Sequence, residues 1–312
     1  MWPVTLWSVM LTWIYGRTFV VERQRFDKLK LQTWYLMQWE NDAINNLLEK
    51  AILEAEEKGI FSKFLWAAAG HWIPVADDRN PAKSPMSEEL NRYGGLYVSR
   101  HPQLKIRMVD GSSLVVAVIL NSVPKETTQV LLRGKLTKVA VAIAFGLIQR
   151  GIKVAILHQA EYWKLTKSLS ESESRLVLEK NYGHKIWLVG NGLSEQEQLT
   201  APKGTIFVPF SQFPPRKLRR DCYYHCTPAM KIPKALEKEQ YLFPSPNSHQ
   251  ESCGETNWLP RRVMSAWRIA GIVHALEGWN DHECGYTMSD IDKVWQATLR
   301  HGFQPLIPTT TT

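Results

Sequence analysis

Short apolar segments alternate with helix-forming segments from about residue 104 to residue 210, and this alternation limits the possible folds more than any other feature of the chain. The apolar segments predicted as strands lie at residues 104–109, 128–134, 152–157, 184–190 and 204–210. The segments between them that are predicted as helices lie at residues 112–123, 136–151 and 161–169. Strands that are covered on both faces read as continuous apolar runs, as these do. The pattern therefore predicts an α/β protein with a Rossmann-like, doubly wound parallel sheet.

Three further helices are predicted outside this region. Residues 40–58 carry apolar side chains at helical spacing and are followed by Gly59 as a stop. A second helix is predicted over residues 257–279, with Asn257 as its cap and Pro260 in its first turn. The last is predicted to have Ser289 as its N-cap and to end at Gly302.

The N-terminal 16 residues contain no charged side chain and are followed by a strongly charged flank. This run is shorter than the roughly 20 residues that a bilayer span needs. Its three tryptophans suit a membrane interface, and the basic residues after it match the cytoplasmic-side pattern. We expect a membrane-proximal N-terminal helix here, with a buried core helix as the alternative.

The formal net charge of +8 is compatible with an anionic partner. The basic residues are scattered, however, and no zinc-finger, basic-zipper or RNA-binding signature accompanies them. No nucleic-acid partner is therefore predicted, and contact with anionic lipid headgroups accounts for the charge equally well. Four cysteines are too few for a disulfide scaffold of 312 residues, so reduced thiols in a cytosolic environment are expected.

The turn after the strand at residues 128–134 is the candidate cofactor site. Dinucleotide-binding turns carry glycines that let the backbone approach a pyrophosphate, which the next helix N-terminus stabilises. This turn offers Gly134 for the tight bend, Thr137 as a cap or phosphate donor, and positive charge from Lys135 and Lys138. The acidic residue expected about 20 residues further on is replaced by His158 and Gln159. Two interpretations stay open: a site for NADPH or NADH, and a scaffold of the same fold with a degenerate or empty site.

A second group of candidate residues is the run His282, Glu283 and Cys284. A cysteine activated by a neighbouring histidine can hold an acyl thioester while a reduced nicotinamide delivers hydride, and Cys284 is the best placed for this role. Cysteines and histidines also occur at residues 222–226, but their spacing matches none of the usual zinc patterns. No metal site is predicted, and ordinary structural roles are the alternative for all these residues.

Four long stretches closely resemble the C-terminal half of plant eceriferum proteins, namely residues 12–34, 104–144, 201–230 and 257–303. Those proteins are the very-long-chain aldehyde decarbonylases of cuticular wax alkane synthesis, and their partners. The resemblance implies lipid metabolism at the endoplasmic reticulum membrane, on its cytosolic face. It also implies a very-long-chain acyl or aldehyde substrate, converted from acyl group to aldehyde to alkane, and other eceriferum-type subunits as possible hetero-oligomeric partners.

The resemblance has two departures. The family's N-terminal fatty acid hydroxylase-type domain binds a di-iron centre through histidine clusters, but the nine histidines here are dispersed, so di-iron is not expected in this chain. Residues 61–87 and 236–256 do not match the family pattern. The resulting domain prediction is a remnant membrane-proximal segment (1–38), a helix plus irregular insertion (39–103) and a Rossmann-like eceriferum C-terminal domain (104–312). A non-catalytic partner or scaffold module is the alternative to an enzyme.

Overall fold

The computed structural model describes residues 19–26, 29–35, 41–57, 64–65, 91–169, 175–191, 193–212, 215, 217–234, 259 and 262–306. The chain divides into two compact units. Unit 1 comprises Met1–Asp110, Pro233–Glu251 and Gly271–Thr287, and unit 2 comprises Gly111–Ile232, Ser252–Ala270 and Met288–Thr312. The domain boundaries predicted at residues 38 and 103 stay a prediction.

Unit 1 begins with an antiparallel pair of strands, β1 (Phe19–Phe26) and β2 (Leu29–Tyr35). It continues with α1 (Asn41–Glu57), β3 (Phe64–Leu65), α2 (Gly95–Arg100) and β4 (Arg107–Met108), and β3 pairs with β4 in parallel. The amphipathic helix predicted at residues 40–58 is confirmed. Of the strand predicted at residues 104–109, only β4 is observed. The preceding residues are not part of it, because the backbone N–H groups of Lys105 and Ile106 donate to the Glu56 carboxylate at 3.0 and 2.9 Å.

Unit 2 contains the parallel sheet, and its α/β class is confirmed. Its elements in chain order are α3 (Ser112–Ser122), β5 (Gln129–Arg133), α4 (Lys138–Gln149), β6 (Lys153–Ile156), α5 (Gln159–Leu169), β7 (Leu176–Leu178), β8 (Ile186–Val189), α6 (Glu195–Thr200), β9 (Ile206–Pro209) and β10 (Tyr223–Tyr224). The six strands lie in the order β7-β6-β5-β8-β9-β10, and all neighbouring pairs are parallel. The order reverses between β5 and β8, because the chain adds β6 and β7 on one side of β5 and then crosses back.

One face of the sheet is lined by a row of side chains in register across five strands. The row, hereafter the aromatic row, consists of Ala155, Leu131, Trp187, Phe207 and Tyr224. The rings of Trp187 and Phe207 meet edge to face at 5.4 Å, and those of Phe207 and Tyr224 stack at 4.7 Å. Trp187 and Phe207 are fully buried, so this row forms the core of that face.

The C-terminal part adds β11 (Ala229–Lys231), β12 (Val263–Ser265), α7 (Ala266–Glu277), α8 (Ile291–Arg300) and β13 (Gln304–Pro305). Strand β11 lies between β12 and β13 in a small antiparallel sheet. The helix predicted from residue 257 begins only at Ala266, because residues 263–265 are extended and pair with β11. Helix α8 is capped by Asp290, whose carboxylate accepts from Lys293 N at 2.9 Å, and not by Ser289 as predicted.

The predicted membrane-proximal helix lies mostly outside the described residues, which begin at residue 19 with β1. No helix in the described ranges is long and apolar enough to cross a bilayer. The departing segments at residues 61–87 and 236–256 also lie outside the described part, apart from β3.

Candidate functional site

The predicted cofactor turn lies at the carboxyl end of β5, where the strand order reverses. Hydrogen bonding between β5 and β8 continues past the ends of both strands, with Gly190 N donating to Arg133 O at 2.8 Å and Lys135 N donating to Asn191 O at 3.1 Å. The segments that follow β5 and β8 therefore stay close together at the same edge of the sheet. Such an edge is where ligands bind in open α/β sheets.

Gly134 is required at this turn for two reasons. Its φ of +103° lies in a region that side-chain-bearing residues rarely adopt. An added Cβ would also lie 2.9 Å from both Asn191 O and the Gly190 backbone. Gly134 therefore bends the chain where it passes close to the end of β8, and its role in binding a cofactor stays a prediction.

Thr137 is the N-cap of α4. Its Oγ1 accepts from Ala140 N at 3.3 Å, so the capping role that the sequence left open is the one seen here. Lys135 is exposed, and Lys138 is partly buried in the first turn of α4. The turn thus presents positive charge next to a helix N-terminus.

A buried cation lies directly before the turn, and the sequence analysis did not identify it. Arg133 is only 5% exposed, and its guanidinium bridges two carboxylates. Nη1 lies 3.2 Å from Glu161 Oε2, and Nη2 bonds Glu197 Oε1. Burial alone would raise the pKa of Glu197, but the bonds from Arg133 and the Ser194 backbone outweigh it and leave that pKa below its ordinary value.

The residues of the second candidate group lie in unit 1, whereas the cofactor turn lies in unit 2. Glu283 forms a parallel bridge with Val109, and His282 Nδ1 accepts from Met108 N at 3.1 Å. Burial lowers the pKa of the His282 imidazole, and the nearby Arg107 guanidinium lowers it further. The Asp281 carboxylate raises this pKa, but its effect is smaller. A ring that accepts at Nδ1 carries its proton on Nε2 when neutral.

The side chains of Glu283 and Cys284 have contacts of their own. The Glu283 carboxylate is fully buried and lies 2.8 Å from His274 Nε2. Cys284 is 7% exposed and belongs to an apolar cluster that includes Ile52, Tyr97 and Met108. Buried cysteines commonly act as small hydrophobic residues, as this packing allows. The described contacts do not test a catalytic role for any of the three, so that role stays a prediction.

In the ranges that the structure describes, no cluster of three or more His, Cys, Asp or Glu side chains could hold a metal ion. Cys222, Cys226 and Cys284 are not joined in disulfide bonds in the part of the chain that the structure describes.

Comparison with known proteins identifies the family of this chain. A family model described as the CER1-like C-terminal domain matches residues 130–305, which run from the second residue of β5 to the end of β13. The chain belongs to this family.

The most informative relatives carry more specific names. The chain is 48% identical, over 98% of its length, to a protein of Arabidopsis thaliana named very-long-chain aldehyde decarbonylase CER1. It is 45% identical to the Arabidopsis protein CER1-like 1 over 99% of its length, and 43% identical over 98% to the rice very-long-chain aldehyde decarbonylase GL1-5. The chain spans about half the length of these curated relatives, 46–47% of each.

Substituting Gly134→Ala should destabilise the protein more than Gly151→Ala. Both glycines have positive φ, but a Cβ at Gly151 would meet nothing within 4 Å. We expect Gly151→Ala to lower the free energy of unfolding by about 1–2 kcal/mol from backbone strain. Gly134→Ala should lose about 1–3 kcal/mol more from overpacking against residues 190 and 191. Urea unfolding of both variants measures the difference, and equal losses would contradict the close approach.

The lowered pKa of His282 predicts a pH dependence of stability. Above an unfolded pKa of about 6.5 both states are neutral, and the contribution of His282 is fully present. As pH falls below 6.5 the unfolded chain binds a proton first, so stability is lost until pH reaches the lower folded pKa.

The free energy of unfolding should therefore drop more between pH 7.5 and pH 5 in the unsubstituted protein than in His282→Gln. The exposed residue His158, changed to Gln, is the matched control and should leave the drop unchanged. Identical pH profiles for the unsubstituted protein and His282→Gln would refute the prediction.

Proposed function

We propose that this chain acts in very-long-chain alkane formation for cuticular wax, as the C-terminal part of an aldehyde decarbonylase-type protein. The names of its relatives support this assignment. Within the proposal, the chain works at the cytosolic face of the endoplasmic reticulum membrane on very-long-chain acyl or aldehyde substrates. It does so beside other subunits of the same family, in a hetero-oligomer.

The proposal includes a nicotinamide cofactor, NADH or NADPH, bound at the carboxyl edge of the parallel sheet. The observation that carries it is the strand order β7-β6-β5-β8-β9-β10. This order is typical of doubly wound, Rossmann-like sheets, which bind dinucleotides outside the carboxyl ends of the strands where the order reverses. In this chain that position lies between β5 and β8.

The residues at this edge fit such a ligand. Gly134 lets the turn pass close to residues 190 and 191, where an added Cβ would collide with the backbone. Thr137 is the N-cap of α4. The first backbone N–H groups of a helix have no partner within the helix, so they can donate hydrogen bonds to a phosphate. Lys135 is an exposed cation beside them. When bound, a reduced nicotinamide supplies hydride for converting an acyl group to an aldehyde, while these residues bind and orient the phosphates.

The second candidate function is a non-catalytic partner or scaffold module of the alkane-forming complex. One observation favours it: Lys135 N already donates to Asn191 O, so an amide of the turn is used within the protein. A module of this kind needs a surface for another subunit and no cofactor.

Titration of the full chain with NADH and NADPH, followed by nicotinamide fluorescence, separates the two functions. Lys135→Glu should weaken binding about tenfold, because reversing an exposed charge beside a phosphate is worth about 1–2 kcal/mol. Lys125→Glu is the matched control, since Lys125 is also exposed but precedes the amino end of β5. Absence of saturable binding by the folded chain would reject the cofactor and select the partner module.

The proposal assigns Cys284 as an acyl carrier, with His282 and Glu283 as its supporting residues. Attack of the thiolate on an acyl-CoA thioester would form a Cys284 thioester and release the CoA thiol. Labelled acyl-CoA should therefore leave label on the denatured protein, and Cys284→Ala should abolish it. The exposed Cys226, changed to Ala, is the control and should retain the label. Undiminished labelling of Cys284→Ala would eliminate the acyl-carrier role.

A further inference from the structure

Arg133 brings two acidic side chains to the edge of the sheet where the order reverses. It is the last residue of β5, it is 95% shielded from solvent, and it precedes Gly134 directly. A buried guanidinium is stable only when it is matched by opposite charge. The matching carboxylates come from opposite sides of β5, because Glu161 lies in the first turn of α5 after β6, and Glu197 lies in α6 after β8.

The two carboxylates differ in the hydrogen bonds that they can still accept. Glu197 uses Oε1 for Arg133, while its Oε2 accepts from Ser194 N at 3.2 Å and from Ser194 Oγ at 3.3 Å. Glu161 uses Oε2 for Arg133, and within the described residues its Oε1 accepts no hydrogen bond. About a quarter of the Glu161 side chain is exposed, so this side chain is accessible to a ligand.

A second observation also indicates a missing partner at this position. The Nε atom of Arg133 is shielded from solvent and donates to no atom in the described part of the chain. An unsatisfied buried donor is costly, and a ligand oxygen that accepts its hydrogen bond removes that cost.

We propose that Glu161 binds the adenine-side ribose of the cofactor and makes the site selective for NADH over NADPH. This inference rests on the proposed cofactor site. Dinucleotide-binding sheets use an acidic residue after the second strand to accept the ribose hydroxyls. Here β6 is that strand, and Glu161 follows it two residues beyond Gln159, with its carboxylate held over the end of β5 by Arg133.

Charge explains the selectivity. One guanidinium and two carboxylates leave this group of three side chains with a net charge of −1. A ribose with free 2′- and 3′-hydroxyls donates hydrogen bonds to a carboxylate, whereas a 2′-phosphate is repelled by it.

The experiment measures the ratio of NADPH to NADH dissociation constants for the full chain by nicotinamide fluorescence. The unsubstituted protein should bind NADH more tightly. Glu161→Gln should weaken NADH binding about tenfold and bring the ratio close to one. Glu161→Asp keeps the charge and should retain the preference at reduced affinity. Glu195→Gln is the matched control, because Glu195 is an exposed acid of α6 that pairs with Lys217, and it should leave the ratio unchanged.

The possible results separate this inference from the proposed function. A purely structural Glu161 would lower thermal stability and weaken both cofactors equally, so an unchanged ratio in Glu161→Gln overturns the ribose role and leaves the cofactor site standing. Tighter binding of NADPH by the unsubstituted protein also overturns it. A folded chain that binds neither cofactor overturns the site and this inference together.

Discussion

The aromatic row is the interaction on which the rest of unit 2 depends. Parallel strands have no hairpins to set their register, so side-chain packing across the sheet must do so. Leu131 opposite Trp187 and Trp187 opposite Phe207 fix that register, and burial of such large side chains stabilises a core by several kcal/mol each. Because β5 and β8 are held in this register, their ends coincide. The geometry of the candidate site therefore depends on side chains that pack two to three residues before it in β5 and β8.

The parallel sheet could be predicted from the sequence because its signal is local. Continuous apolar runs of three to five residues mark β5, β6, β8 and β9, and their positions follow directly. Strand β12 could not be predicted in this way, since Val263–Ser265 continues an apolar helical pattern and only its distant partner β11 makes it extended. The short helix α6 did carry a local signal, the capping box of Ser194 and Glu197, which the sequence analysis passed over.

The two candidate groups show why sites are harder to predict than elements. Lys135, Thr137 and Gly134 occur at one turn, so adjacency in the sequence corresponds to adjacency in space. The run from residue 282 to residue 284 is extended next to Val109, where successive side chains point in opposite directions. Glu283 contacts His274, while Cys284 packs with Met108 in the apolar cluster. Arg133 and Glu161 meet only through the tertiary fold, and no spacing in the sequence indicates their contact.

The small antiparallel sheet has a consequence for biosynthesis. Its central strand β11 pairs with β12 and with β13, whose residues are added to the growing chain long after Lys231. A two-stranded ribbon is marginally stable alone, so this sheet cannot be completed until Pro305 has left the ribosomal exit tunnel. The strands of the parallel sheet are translated well before that point. Maturation of unit 2 is therefore ordered in time, with the parallel sheet emerging first and the small antiparallel sheet last.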